Sequence, residues 1–147
     1  MKKTILSACL VAVFLGTAGL AQESKGRPAA TKLDGAWKLV SHKNGDRKEH
    51  GPVAEGETQT KLLVDGRYVW TVVRDGKVSH GLGGRYTLQR GKYTENIEFA
   101  FGEEFARFVG KAAEFKWARE EEKWLHQGVV KIGGADYSID EIWERQK

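Results

Sequence analysis

From Leu33 onward the chain is a succession of short runs rich in Val, Ile, Tyr, Phe and Trp, cut by the dipeptides Asp65-Gly66, Asp75-Gly76 and Gly133-Gly134. Asp-Gly pairs supply the positive backbone angles of tight hairpins, so consecutive runs should pair antiparallel. The spacing predicts strands near 35–42, 59–64, 67–74, 83–89, 92–101, 111–119, 123–131 and 137–145. A long connection is expected at 43–57 and one helical turn at 103–109.

Side chains alternate across a strand, so each run can be tested for a buried face. In 111–119 that face carries Ala113, Phe115 and Trp117, opposite Glu114 and Lys116. The same test turns Tyr93, Ile97, Phe99 and Phe101 inward, and with them Tyr137, Ile139 and Trp143. Trp37 with Leu39, Leu62 with Val64, and Tyr86 with Leu88 complete the inner wall. Two strands are apolar on both sides, and for these the aromatic side is taken as inner: Tyr68, Trp70 and Val72 in one, Trp124, His126 and Val130 in the other.

Eight one-sided strands with no long helix to cover them must bury their apolar face against one another. The expected fold is therefore all-β, an antiparallel up-and-down eight-stranded barrel, because closure also removes exposed edges; a sandwich is the runner-up. A barrel of that size is filled by side chains or holds one small ligand.

The inward register also carries Glu95, Arg119, His126 and Glu141, which are out of place in an apolar core. Two readings stay open. Either these groups pair with one another or reach a solvated rim, or they form the floor of a pocket walled by Trp70, Trp117, Trp124 and Trp143. On the second reading the ligand is a small apolar or amphipathic molecule, and His126 is the group whose charge changes near neutral pH. An enzyme using His126 with Glu95 or Glu141 as general base and acid is an alternative. A surface interaction module built on the 43–57 loop is another.

The segment before the domain reads as a leader. Lys2 and Lys3 precede an apolar run from Ile5 to Leu15, and the small residues Gly19 and Ala21 fit cleavage after Ala21. The run is shorter than the ~20 residues that span a bilayer. Leu6-Ser7-Ala8-Cys9 resembles a lipobox, but a lipobox closes an apolar run, and Leu10 to Leu15 still follow. Export to the periplasm or beyond is expected, with residues 1–21 removed, 22–32 a flexible lead-in and 33–147 the barrel domain.

Removing the leader takes two lysines from the 24 basic residues and none of the 20 acidic ones, so the net charge falls from +4 to +2. With the signs interleaved along the chain, nucleic-acid binding is not expected. The one cysteine, Cys9, leaves with the leader, which excludes disulfides and thiolate zinc sites from the mature chain. His42, Asp46, Glu49 and His50 match no metal-ligand spacing. The glycines of His80-Gly81-Leu82-Gly83-Gly84 precede a strand rather than a helix, so they should bend the wall rather than cradle a phosphate. Adjacent Ser79 and His80 should face opposite sides of a strand, leaving the serine without a base. No cofactor, metal or catalytic residue is assigned.

One ordered set of segments resembles a known family. Leu33-Asp34-Gly35-Ala36-Trp37-Lys38-Leu39-Val40, Gly83-Gly84-Arg85-Tyr86-Thr87-Leu88, Tyr93-Thr94-Glu95, Val109-Gly110-Lys111, Trp124-Leu125-His126 and Glu141-Ile142-Trp143-Glu144-Arg145 are similar to the lipocalin-like domain of bacterial secreted proteins, in the calycin superfamily. The likeness spans about Leu33 to Arg145. It implies an antiparallel barrel whose Trp37 packs at the closed end beneath Arg145, a structural pair rather than a binding one. The sequence departs from true lipocalins in stopping at that strand, without the helix that follows the barrel.

Overall fold

A computed structural model describes residues 33–89 and 91–147; the leader and lead-in expected at 1–32 lie outside the described residues. Eight strands run β1 (Gly35–His42), β2 (Glu57–Val64), β3 (Arg67–Arg74), β4 (Lys77–Gln89), β5 (Lys92–Phe101), β6 (Ala112–Glu120), β7 (Lys123–Ile132) and β8 (Ala135–Arg145). They close into one antiparallel barrel in sequence order, with β8 pairing back onto β1. Among the described residues a single short helix, α1 (Glu103–Ala106), lies between β5 and β6. Asp65 and Asp75, each at φ 49°, and the glycines that follow them turn the β2–β3 and β3–β4 hairpins as their sequence requires.

Most strand bounds fall where alternation placed them, and β4 is the main extension. It starts at Lys77, straight out of the Asp75-Gly76 turn, because the ladder with β3 absorbs Ser79 as a bulge between Val78 and His80. The bulge swings the Ser79 hydroxyl to 3.1 Å from Nδ1 of His80, so these two side chains do meet, contrary to the expectation from simple alternation.

Three register facts correct the inner wall. On β2, Lys61 and Leu63 are buried while Leu62 and Val64 are exposed, the reverse of the expectation. The two-residue Asp65-Gly66 turn decides this: it sets Leu63 opposite Tyr68 and Lys61 opposite Trp70, and directly paired residues share a face. On β5, Glu98 is the extra residue of a bulge, since Ile97 pairs with Gly84 but Phe99 with Gly83. Everything beyond it changes side, so Phe99 and Phe101 lie on the outer surface. There they cover Gly83 and Gly81, where a Cβ would run into the aromatic ring of Phe99 or the Trp70 carbonyl. On β8, Tyr137 keeps its inward register but sits at the rim and is partly exposed.

The two ends of the barrel differ. Leu33, Trp37, Tyr86, Tyr93, Trp124 and Trp143 belong to one buried aromatic cluster that fills the end where β1 begins and β8 finishes. Trp37 is fully buried; its Nε1 donates to the Leu33 carbonyl at 2.8 Å, and the Arg145 guanidinium lies 5.4 Å from its ring. Arg145 in turn donates to the Asp34 carbonyl at 2.6 Å, and Tyr86 donates to the Asp34 carboxylate. Trp37 beneath Arg145 is the arrangement that the family resemblance implies for this end. The other end, edged by α1 and the 43–56 connection, is open.

Candidate functional site

The open half of the barrel encloses a cavity of about 540 Å³, within the ~300–1,000 Å³ typical of small-molecule sites. Its walls are Trp70, Leu82, Ile97, Phe115, Ile139 and Trp143. At the mouth, Phe105 of α1 stacks on His80 with ring centroids 4.5 Å apart and meets Trp70 edge-on at 5.6 Å. The helical turn expected at 103–109 thus has a use that its sequence did not reveal: it brings Phe105 and Phe108 to the opening.

The floor is polar, and each group in it is delivered by strand register. Glu95, His126 and Glu141 are 5%, 2% and 8% exposed, deep enough that each must be matched by a partner. Glu95 accepts from Lys61 Nζ at 2.7 Å and from the Tyr93 hydroxyl at 2.8 Å. The Lys61 ammonium also lies 5.1 to 5.6 Å from the ring centroids of Trp143, Trp124 and Tyr93, so a cation sits within an aromatic cage. Glu141 takes three donors: Asn44 Nδ2 at 2.8 Å, His126 Nδ1 at 3.0 Å and Trp143 Nε1 at 3.0 Å.

Burial is the largest influence on His126 and lowers its pKa, as does the nearby Lys61 charge, against the raising effect of Glu141. Burial alone would raise Glu141, but the His126 hydrogen bond, the Lys61 charge and the Asn44 amide together hold it well below the ordinary carboxylate range. Neutral His126 and ionised Glu141 therefore fit together, with the Nδ1 proton shared between them. Burial and the Glu95 carboxylate keep the Tyr93 phenol firmly protonated.

The structure therefore brings Trp70, Glu95, His126, Glu141 and Trp143 to the cavity. It does not bring Trp117, Trp124 or Arg119 there. Trp124 is fully buried beneath the floor, stacked on Trp143 at 5.9 Å. Trp117 packs against the core cluster below the cavity. Arg119 is at the closed end, bonded to the Glu121 carbonyl at 2.9 Å and facing the Trp37 ring at 5.9 Å. All three share the inner register, but a barrel has depth as well as faces, and alternation reports only the face.

Two floor residues escaped the sequence reading. Taking Leu62 and Val64 as the inner side of β2 leaves Lys61 outside, although the hairpin register that pairs it with Trp70 follows from the Asp65-Gly66 turn and places it inside. Asn44 reaches Glu141 from the β1–β2 connection across 97 residues of chain, and no local pattern announces such a contact. In the same connection His50 bonds to Asp140 at 3.1 Å and His42 to Arg47 at 3.1 Å. Among the described residues no three His, Cys, Asp or Glu side chains cluster as a metal site would need. Nor, among them, is any helix long and apolar enough to cross a membrane.

The buried acid and base predict acid lability. His126 has a folded-state pKa below its ordinary 6.5, so below that pH the unfolded chain takes up a proton that the folded chain refuses, and stability falls. Glu141, depressed from 4.5 to about 2, contributes stability that is complete above 4.5 and is lost as pH drops through the folded value. The urea midpoint should accordingly fall between neutral pH and about 5, and fall further below about 4. A midpoint that stays constant down to about 5 would show that His126 is not held neutral in the fold.

Residues 32–147 match the family described as a domain of unknown function, DUF4488. Among solved structures the chain is similar to a lipocalin-like protein from Bacteroides uniformis, with a TM-score of 0.55 and 14% identity, over 78% of this chain and 98% of that one. At that identity the likeness concerns the fold, which both share as a lipocalin-like barrel. No curated protein matches the chain.

Proposed function

The chain belongs to the family described as a domain of unknown function, DUF4488, and from that premise we propose that it is an exported protein that binds a small, partly apolar molecule inside its barrel. The observation that carries this reading is the division of the interior: a packed aromatic half below, a cavity of about 540 Å³ above, and a polar floor between them. A barrel built only for stability would continue the aromatic packing to its open end, because each unfilled methylene-sized void costs roughly 1 kcal/mol. Apolar walls with a few convergent polar groups are the usual form of a small-molecule site. The leader at residues 1–21 supports delivery to the periplasm or outside the cell.

Trp70 and Trp143 line the cavity, so occupancy should change their fluorescence. Native mass spectrometry of the mature protein isolated from its own host is expected to show a bound compound of discrete mass, and adding that compound to stripped protein should shift the tryptophan emission saturably. A protein that emerges without added mass, and whose emission is indifferent to apolar and amphipathic compounds alike, would overturn the proposal.

A further inference from the structure

We infer that the floor of the barrel receives the hydrogen-bond-donating end of its ligand, a hydroxyl or an amine on an apolar body, and discriminates against carboxylates. This rests on the reading of the barrel as a binding protein and adds the chemistry of what it binds.

The floor holds two carboxylates and one lysine. Lys61 is committed to Glu95 at 2.7 Å, with the rest of its ammonium turned toward the rings of Trp143, Trp124 and Tyr93. Glu141 is left to neutral dipoles, the Asn44 amide and the Trp143 indole, and to the imidazole of His126. The formal charge at this depth is therefore negative, and an entering carboxylate would meet two of its own kind with the one cation already engaged.

His126 supplies the second half of the argument. Both oxygens of an ionised Glu141 only accept, so the Nδ1 of His126, 3.0 Å from Oε2, must carry the hydrogen. In a neutral imidazole Nε2 then presents a lone pair. That nitrogen is fully buried, lies on a residue that lines the cavity, and among the described residues has no hydrogen-bond partner. The ring is wedged against Phe115, with centroids 4.1 Å apart, and Trp124, at 5.1 Å, so it cannot swing to find one without repacking. A buried acceptor without a donor is costly, and a ligand O–H or N–H admitted to it by a shift of the surrounding side chains would remove that cost.

The test titrates the protein with decanol, decylamine and decanoic acid at neutral pH, followed by tryptophan fluorescence and calorimetry, with pyrene as a probe that lacks polar groups. Decanol, decylamine or both should bind at least roughly tenfold more tightly than decanoate, the effect of one recovered hydrogen bond to a buried acceptor. Decanoate that binds as well as or better than both would overturn the inference while leaving the barrel a binding protein, as would binding of pyrene alone. Failure of all four probes would overturn the inference, and together with host-isolated protein free of added mass it would overturn the binding reading as well. Nitrogen-15 spectra of the imidazoles give an independent measurement on the unaltered chain. His126 Nε2 should resonate as an unprotonated nitrogen in the free protein and shift when the favoured probe binds. A protonated Nε2 in the free protein would remove the acceptor on which the inference stands.

Discussion

Lys61→Met is expected to lower the free energy of unfolding by about 3–5 kcal/mol, although the new side chain has almost the length of the old and no charge to bury. The lysine is 4% exposed and bonded to a glutamate that is 5% exposed, so removing it leaves the Glu95 carboxylate in a low-dielectric interior with only the neutral Tyr93 hydroxyl donating to it among these two groups. Against the ~5–15 kcal/mol that holds most domains together, such a loss is large. The single variant Glu95→Leu should also destabilise, since it strands the ammonium. The double variant Lys61→Met with Glu95→Leu should be more stable than either single one, because removing both charges removes the desolvation cost with them. Denaturant unfolding of the four proteins closes the cycle. A Lys61→Met protein within about 1 kcal/mol of the original would mean that this side chain is in solvent, as exposed lysines lose little on substitution.

Trp37→Ala should cost a similar amount, about 3–5 kcal/mol, by a different mechanism. The ring is fully buried, packs edge-on against Trp124 at 5.7 Å, and lies beneath Arg145. Truncation leaves a cavity at one end of the ladder by which β1 and β8 close the barrel, with Trp37 directly paired to Arg145. It also frees the Leu33 carbonyl, which accepts the indole N–H. Trp37→Phe keeps most of the volume and should lose less, roughly 1–2 kcal/mol for the hydrogen bond and the smaller ring. Guanidinium midpoints of the two variants order the effects; an alanine variant as stable as the phenylalanine one would show that the ring is not what seals this end.

Much of the fold was legible in the sequence, and the reasons differ by residue. The succession of short apolar runs gave the strand count, and Asp65-Gly66 and Asp75-Gly76, which supply the backbone angles of tight hairpins, gave the antiparallel order. Glu95, His126 and Glu141 were legible as inward because Tyr93, Trp124 and Trp143, two residues away in each case, are aromatic and fix the parity of the strand. Phe99 and Phe101 were misread because one bulge at Glu98 reverses parity, and nothing local to an apolar run marks an inserted residue. Leu62 and Val64 were misread for another reason: Leu62 and Leu63 are both apolar, and only the hairpin register breaks the tie between the two sides.

The chain by itself determined an all-β barrel, its strand order and the inward turn of three titratable residues, because period-two alternation and turn chemistry act between near neighbours; the Trp37 and Arg145 closure was what the family resemblance implied. Closure of the barrel decided everything that depends on depth and on distant partners. It joined Lys61 to Glu95 across 34 residues and Asn44 to Glu141 across 97, and it sent Arg119, Trp117 and Trp124 below the cavity instead of into it. Which face a side chain takes is a property of its own strand; which group it meets there is set by how far along the barrel axis each of the other strands has slid.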